Sequence, residues 1–244
     1  MDVLELEQVV YAYPGHAEHA LDQASIRLSA GQRIAFLGSN GSGKSTLFLH
    51  CNGILRPASG RVRFMGEDVS YSRASLKMLR QRVGIVFQNA DDQLFSASVA
   101  QDISFGPLNL GLSEQEARKR VQMAAELCEI TDLLDRPTHA LSGGQKTRVA
   151  LAGVLAMDPD VLLADELTAS LDPWMRRKVF EIFERLTAQG KTIMLATHHI
   201  EVVRRWADRV AVMEQGRVIA FDAPERLFAN RDLMARTGLD AVWS

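Results

Sequence analysis

The chain has 244 residues, of which 47% are hydrophobic and 24% charged, close to the averages for soluble globular domains. This composition excludes a disordered, collagen-like or coiled-coil protein. The formal net charge is -2, so no overall positive field attracts nucleic acid, and we expect no nucleic-acid partner. The two cysteines, Cys51 and Cys128, form neither a disulfide framework nor a zinc motif and indicate a reducing compartment.

The sequence predicts no targeting or membrane segment. Residues Met1 to Gln8 lack the basic start and apolar core of a secretion signal, so we expect the chain to stay inside the cell. The longest apolar runs, such as Val161–Ala164, are far shorter than the ~20 residues of a membrane helix. Any membrane component is therefore expected to come from another chain.

The first predicted elements are two short strands, Leu4–Tyr11 and Ala24–Leu28, joined by a turn. A compact apolar strand follows at Arg33–Leu37, then a glycine-rich loop at Gly38–Lys44 and a helix at Ser45–Asn52. The N-terminal region therefore leads into a strand, loop and helix unit.

The middle of the chain changes character. A strand at Arg61–Phe64, a basic helix at Ser75–Gln81 and a strand at Val83–Phe87 are predicted first. From residue 89 to about 141 the strand pattern stops, and the capping-box pattern at Ser113–Glu116 begins a predicted helix. This stretch is interpreted as a helical insertion.

After the insertion, strands and helices alternate and end in a predicted hairpin: Val161–Ala164, Trp174–Gln189, Thr192–Ala196, Ile200–Ala207, Arg209–Glu214 and Arg217–Asp222. Such alternation predicts an α/β fold, with a parallel sheet covered by helices.

The glycine-rich loop carries the clearest functional motif. Its residues match G-x-x-x-x-G-K-[ST] between a strand and a helix: Gly38, Ser39, Asn40, Gly41, Ser42, Gly43, Lys44 and Ser45. In this motif, backbone N–H groups and the helix N-terminus hold phosphates, and Lys44 bridges the outer ones. Ser45 is the expected Mg²⁺ ligand, and Thr46 adds a phosphate contact. The pattern predicts a nucleoside triphosphate site.

Two carboxylates end an apolar strand, at Asp165 and Glu166. Because ligands of parallel sheets sit at the carboxyl edge, Asp165 can reach Mg²⁺ through water while Glu166 polarises an attacking water. A solvated strand end or a helix cap is the alternative for this pair alone. The nearby phosphate motif favours the catalytic interpretation.

Leu141–Gln145 begins another predicted helix and contains two glycines. Glycines at a helix start cost stability unless the backbone must approach something closely, such as a phosphate. An ordinary junction between a loop and a helix is the alternative interpretation.

Together these motifs resemble the nucleotide-binding subunit of an ATP-binding cassette (ABC) transporter, over nearly all of the chain. Six segments carry the resemblance, in the order of that family: the Walker A loop (Gly38–Thr46), the Q-loop glutamine (Gln88), the signature (Leu141–Gln145), the Walker B pair (Asp165, Glu166), the D-loop (Ala169–Asp172) and the switch histidine (His198).

The resemblance implies a P-loop NTPase core with a parallel sheet, an N-terminal antiparallel β subdomain and a helical insertion, the ABC ATPase fold. It implies a single ATP-binding domain over residues 1–240, with the insertion at about 89–141 and a short tail at 241–244. The expected cofactors are ATP and Mg²⁺, with Ser45, Gln88 and Asp165 at the metal.

The resemblance also implies a head-to-tail dimer that sandwiches two ATP molecules, with each site using Walker A from one chain and the signature from the other. The signature residues expected at the partner's ATP are Ser142, Gly143, Gly144 and Gln145. The second ATPase subunit is expected to be a copy of this chain.

The same resemblance assigns roles around the γ-phosphate. Glu166 would act as the catalytic base, His198 would hold the γ-phosphate and the attacking water, and Gln88 would link Mg²⁺ to the transporter interface. Tyr13 is the first candidate to stack on adenine and Tyr11 the second, the alternative being an ordinary surface or core tyrosine.

Two positions depart from the family pattern. Leu167 follows the catalytic glutamate where the family usually has Pro, and His199 follows the switch histidine where it usually has Asp. Neither change removes a phosphate ligand or the base, so hydrolysis is still expected. His199 is interpreted as a supporting or surface residue, since no third metal ligand is visible nearby.

The segment Phe87–Phe95 is similar to that of ATPases of energy-coupling factor transporters, and most closely to those of cobalt and nickel importers. Within it, Asp91–Phe95 would shape a groove for the coupling helix of a transmembrane subunit. A generic loop of the insertion is the alternative.

The resemblance thus implies an ATPase that energises a membrane importer from the cytoplasmic face, with cobalt as the expected cargo. Its expected partners are a transmembrane coupling subunit and a substrate-binding membrane subunit. Nickel or a vitamin such as biotin remains the alternative cargo, and a soluble ABC ATPase without a transport role is the alternative class. A P-loop kinase or GTPase would not explain Leu141–Gln145 together with His198, and Glu166 argues against a regulatory module without turnover.

Overall fold

The computed structural model describes residues 2–168 and 171–239. The expected tail at 241–244, with Ala169 and Ser170 of the expected D-loop, lies outside this part of the chain. The strands are β1 (Asp2–Tyr11), β2 (Leu21–Ser29), β3 (Arg33–Leu37), β4 (Ser59–Phe64), β5 (Glu67–Asp68), β6 (Val83–Val86), β7 (Val161–Asp165), β8 (Thr192–Ala196), β9 (Arg209–Glu214) and β10 (Arg217–Asp222). The helices are α1 (Lys44–Cys51), α2 (Arg73–Arg82), α3 (Val99–Asn109), α4 (Glu114–Leu127), α5 (Gly143–Leu155), α6 (Pro173–Ala188), α7 (Ile200–Trp206), α8 (Pro224–Ala229) and α9 (Arg231–Thr237).

The N-terminal strands form a small antiparallel sheet in the order β2-β1-β4-β5. In β2, buried apolar residues alternate with exposed polar ones, as expected for a sheet with one covered face. The buried face packs on β3 and α1. The expected antiparallel β subdomain is therefore confirmed.

The larger sheet has the order β10-β9-β3-β8-β7-β6, in which all pairs are parallel except β9 with β10. Strands β7 and β8 are buried at every position, because helices cover both faces of such a sheet. The predicted parallel sheet and closing hairpin are confirmed. The carboxyl ends of β3, β8, β7 and β6 lie side by side, which gathers the site.

The insertion is helical, as predicted. Helix α4 begins with the expected capping box, in which Ser113 and Glu116 exchange hydrogen bonds. Its apolar face packs with α3 and α5. Helix α3 was not predicted, although Ser98 caps its first turn by accepting from the N–H of Gln101.

Helices α8 and α9 and the two-residue strand β5 were also not predicted. Both helices pack under β9 and α7 through Leu227 and Met234. Within the described ranges, none of the helices has the length and hydropathy that crossing a membrane requires.

Candidate active site

The phosphate loop, Gly38–Ser45, joins β3 to α1. Its backbone turns sharply because three of its glycines have positive φ angles. Gly38, Gly41 and Gly43 have φ values of 151°, 79° and 102°. A Cβ on Gly38 would lie 2.4 Å from the carbonyl oxygen of Met213, so a side chain there has no room. The loop fold therefore requires the glycines that the motif supplies.

Lys44 is held inside this loop. Its ammonium donates to the carbonyl oxygens of Gly38, at 2.8 Å, and Ser39, at 3.1 Å, and the residue is only 5% exposed. Burial lowers the pKa of Lys44, while the carboxylates of Glu166 and Asp165 oppose that shift. A buried cation facing two acids is poised to exchange carbonyl partners for phosphate oxygens.

Asp165 ends β7 and is buried beside the phosphate loop. The Ser45 hydroxyl hydrogen-bonds to its carboxylate, yet burial still raises the pKa of Asp165. Its Oδ1 is buried without a hydrogen-bond partner. An unpaired buried carboxylate oxygen next to a hydroxyl is a donor set that suits Mg²⁺.

Glu166 contacts residues that follow both neighbouring strands, at one edge of the larger sheet. Gln88 Nε2 donates to Glu166 Oε2 over 3.1 Å, and His198 Nε2 lies 2.6 Å from Glu166 Oε1. Glu166 has a positive φ of 47°, and its N–H donates to the Ala196 carbonyl. Gln88, Glu166 and His198 follow the neighbouring strands β6, β7 and β8, so the sheet order itself brings them together.

Tyr13 closes the other side of the site. Its hydroxyl lies 3.2 Å from Thr46 Oγ1, and its ring packs edge-on against Tyr11, with centroids 5.1 Å apart. Tyr13 is 37% exposed, whereas Tyr11 is also covered by His50. Of the two tyrosines, Tyr13 therefore presents the more accessible ring.

One cleft of about 340 Å³ contains much of this site. Its walls are formed by nine candidate ATP-binding residues, by the candidate base Glu166 and by Ala20: Tyr13, Ala20, Asn40, Gly41, Ser42, Gly43, Lys44, Ser45, Thr46, Gln88 and Glu166. Gly38, Ser39, Asp165 and His198 are not among the residues that line it.

The signature residues do not line this cleft. Ser142 caps α5 by accepting from the Gln145 N–H, and Gln145 Oε1 accepts from the Ser142 N–H. Ser142 and Gly143 are exposed, and a Cβ on Gly143 would meet nothing within 4 Å. Packing within this chain does not require that glycine, which leaves the end of α5 free to contact something outside.

One supporting element was missed from sequence. The turn between β9 and β10 touches the back of the phosphate loop, where the Gly216 N–H donates to the Ser42 carbonyl over 3.0 Å. A Cβ on Gly216 would lie 2.9 Å from the Ala20 carbonyl oxygen. The sequence analysis placed Gly216 in a predicted hairpin turn, but a turn glycine does not indicate which distant segment it contacts.

The two departures from the family pattern are both partly or fully buried. Leu167 is packed in the core below Glu166. His199 precedes α7, and its N–H donates to Thr197 Oγ1. Burial, with the nearby charge of Arg176, lowers the pKa of His199. Neither side chain is among the residues that line the cleft.

A second, larger cleft of about 900 Å³ lies between α2, α3 and α5. Phe95 and Phe105 form part of its wall, and their rings meet edge-on with centroids 4.7 Å apart. Phe95 is 65% exposed and Phe105 51%. Of the predicted segment Asp91–Phe95, Gln93 and Phe95 line this cleft.

Comparison with known proteins assigns the chain to a family. Residues 21–169 match the family model described as ABC transporter. The chain is 51% identical to the cobalt import ATP-binding protein CbiO of Rhodobacter capsulatus, over 97% of this chain and 84% of that one. It is 44% identical to an energy-coupling factor transporter ATP-binding protein, EcfA, of Methanothermobacter thermautotrophicus, over 97% and 76% of the two chains.

Solved structures agree with these relatives. CbiO1 of Clostridium perfringens, described as part of the ABC transporter complex cbiONQ, superposes with a TM-score of 0.82 at 46% identity, covering 98% of this chain and 96% of that one. The dimeric cassette MJ0796 in a post-hydrolysis state bound to ADP and Pi gives a TM-score of 0.83 at 26% identity, with 91% and 98% covered. The chain belongs to the ABC transporter family, as one of its ATP-binding subunits.

Proposed function

We propose that this chain binds ATP with Mg²⁺ and hydrolyses it to energise a membrane importer whose expected cargo is cobalt. The observation that carries the ATPase role is the contact of Gln88, Glu166 and His198 beside the phosphate loop. The cargo is supported by the 51% identity to a cobalt import protein. Nickel and biotin are the alternative cargoes.

The residues of the cleft divide the work of phosphoryl transfer. Loop N–H groups and Lys44 bind the phosphates, Thr46 adds a contact, and Tyr13 stacks on the adenine. Glu166 accepts the proton of the attacking water, and His198 holds the γ-phosphate and orients that water. Positioning and charge stabilisation, rather than covalent chemistry, are what such a site supplies.

Ser45, Gln88 and Asp165 are the proposed holders of Mg²⁺, with Asp165 acting through water. When bound, the ion neutralises charge on the phosphate oxygens. The unpaired Oδ1 of Asp165 and the adjacent Ser45 hydroxyl support this assignment.

The second half of each ATP site comes from another copy of the chain. Its exposed α5 N-terminus, with the N–H groups and the helix dipole, would bind the γ-phosphate held by the partner. The residues assigned to this contact are Ser142, Gly143, Gly144 and Gln145. The exposure of Ser142 and Gly143, and the position of all four residues away from the cleft of their own chain, support this assignment.

The cleft between α2, α3 and α5 is the proposed docking site of a transmembrane coupling subunit, which also works with a substrate-binding membrane subunit. Such docking would hold the chain at the cytoplasmic face of the cell membrane. Exposed aromatic pairs such as Phe95 and Phe105 are typical of protein interfaces.

Uptake into vesicles tests the whole proposal. Vesicles that contain the membrane subunits and this chain should accumulate radiolabelled Co²⁺ only with ATP, and Glu166→Gln should abolish the uptake. Parallel assays with Ni²⁺ and biotin separate the cargoes, and uptake of neither metal by a chain that hydrolyses ATP would contradict the metal assignment.

A docking variant tests the partner. Phe105→Asp should prevent co-purification with the membrane subunits while leaving the ATPase activity of the isolated chain unchanged. Met123→Asp is the matched control, because Met123 is 65% exposed on α4 and does not line the cleft. Failure of the wild-type chain to co-purify with any membrane subunit, with its ATPase activity intact, would favour a soluble ABC ATPase.

A further inference from the structure

A buried histidine behind the phosphate loop has no role in the site described so far. His50 lies in the last turn of α1 and is fully buried. Its Nδ1 is 2.8 Å from the carbonyl oxygen of Thr46, and its Nε2 has no hydrogen-bond partner. Because a carbonyl oxygen can only accept a hydrogen bond, Nδ1 carries the proton and Nε2 is unprotonated.

His50 belongs to a closed ring of contacts between four residues, one of which is made by a main-chain carbonyl. Its imidazole packs edge-on against Tyr11, with centroids 4.9 Å apart, and Tyr11 packs edge-on against Tyr13 at 5.1 Å. The Tyr13 hydroxyl contacts Thr46 Oγ1 at 3.2 Å, and the Thr46 carbonyl returns to His50. Each member of this ring therefore restrains its two neighbours.

We propose that His50 is a positioning residue for nucleotide binding, which holds Tyr11 and Thr46 so that the Tyr13 ring is preset to receive adenine. The proposal rests on the proposed stacking of adenine on Tyr13. A rotatable, partly exposed tyrosine loses side-chain entropy when it stacks, and a ring already fixed loses less. His50 thereby favours binding of the base without touching the nucleotide.

Two features suit His50 to this role. Burial lowers its pKa, so the ring stays neutral among its apolar neighbours, while its Nδ1–H donates to the Thr46 carbonyl. An unpaired buried Nε2 costs stability, and Leu or Phe at this position would avoid that cost.

The test compares ATP with inorganic tripolyphosphate, which has the phosphates but no base. With the full chain, His50→Leu should weaken ATP binding about fivefold to tenfold, at the low end of what aromatic stacking on a base contributes. Binding of tripolyphosphate should be unchanged. His50→Phe keeps the ring contact and His50→Asn keeps an N–H donor, so both should lose less than His50→Leu.

A double variant shows whether His50 acts through Tyr13. In a Tyr13→Ala chain, His50→Leu should cause no further loss of ATP affinity, because the residue it positions is gone. Cys51→Ala, which alters the neighbouring buried position on α1, is the control and should leave the ratio of the two affinities unchanged.

Several outcomes would overturn the proposal. If His50→Leu weakens the binding of ATP and tripolyphosphate equally, His50 merely supports α1. If His50→Leu weakens ATP binding equally in the wild-type and Tyr13→Ala chains, His50 does not act through Tyr13. If Tyr13→Ala leaves the ratio of ATP affinity to tripolyphosphate affinity unchanged, adenine does not stack on Tyr13, and His50 has no stacking residue to position. That failure is distinct from failure of the ATPase function, in which the wild-type chain would not hydrolyse ATP at all.

Discussion

The two ends of the proposed ATP site differ in how completely this chain builds them. At the phosphate-loop end, Lys44 has two carbonyl partners, and Glu166 is in contact with both Gln88 and His198. At the N-terminus of α5, Ser142 and Gly143 are exposed to solvent. The first end is shaped by contacts within this chain, whereas the second is exposed and, as proposed, meets the ATP held by another chain.

Two capping boxes in the same chain make the difference clearer. Ser113 and Glu116 begin α4 as Ser142 and Gln145 begin α5. The first helical residue is Glu114 in α4 but Gly143 in α5. Glycine is a poorer helix former than Glu, and an acidic first turn favours the helix dipole, so helix stability alone favours the α4 sequence. The glycine of α5 is consistent with the proposed close approach to a phosphate of the partner's ATP.

A substitution at the phosphate-loop end should reduce ATP hydrolysis the most. Glu166→Gln removes the carboxylate that accepts the proton but keeps the shape of the side chain, so hydrolysis should fall by ~10²–10⁴. ATP binding should persist, and size-exclusion chromatography with ATP should show a stable dimer. Glu67→Gln, on the edge of the small sheet, is the control. Persistent hydrolysis with no trapped dimer would show that Glu166 is not the base.

Substitutions in the two capping boxes should have a smaller effect on ATP hydrolysis, and only one of the two should have it. Ser142→Ala and Ser113→Ala should each lower the free energy of unfolding by ~1 kcal/mol, the usual loss for an N-cap. Only Ser142→Ala should also slow hydrolysis, by roughly tenfold or more, since it removes a hydrogen bond to a charged phosphate. Urea unfolding and ATPase assays measure the two effects. If the Ser142→Ala and Ser113→Ala chains hydrolyse ATP equally fast, the capping box of α5 has only a structural role.

The smallest effect concerns Asp165. Burial raises its pKa in the folded chain, so its ionised form destabilises the nucleotide-free fold at neutral pH, and this cost disappears as the pH falls below that pKa. Asp165→Asn should therefore raise the Tm at pH 7, by about 2–4 °C for each kcal/mol recovered, and the gain should shrink in acid. A lower Tm at pH 7 would contradict this view of Asp165.

The sequence predicted most of the sheet because strand signals are local. The predicted bounds of Arg33–Leu37 and Thr192–Ala196 are those observed, since short apolar runs between turn residues leave little freedom. Placing Gln88, Glu166 and His198 on the ends of strands then brought them to one edge. Their mutual contact follows from the strand order, which a motif alone does not give.

What the sequence did not predict has physical reasons. Gly106 and Pro107 lie inside α3, and both residues normally indicate the end of a helix. Helices α8 and α9 have six and seven residues, too few for an apolar period to show. The left-handed φ of Glu166 and the ring around His50 depend on contacts between distant segments, which composition and spacing do not reveal.

Each ATP site is proposed to be shared between two chains, and mixing two inactive variants measures that sharing. Lys44→Ala removes the phosphate-loop lysine and keeps α5 intact. Gly143→Asp keeps that lysine and places a carboxylate where the partner's phosphate should lie, at a helix N-terminus that tolerates acids. Each variant alone should be nearly inactive, and Gly143→Asp should still bind ATP.

In a mixed dimer, the phosphate loop of the Gly143→Asp chain faces the unaltered α5 of the Lys44→Ala chain. One complete site then forms in each mixed dimer, so the mixture should hydrolyse ATP well above the sum of the two variants measured separately. No gain on mixing, or full activity of Gly143→Asp alone, would contradict the shared site.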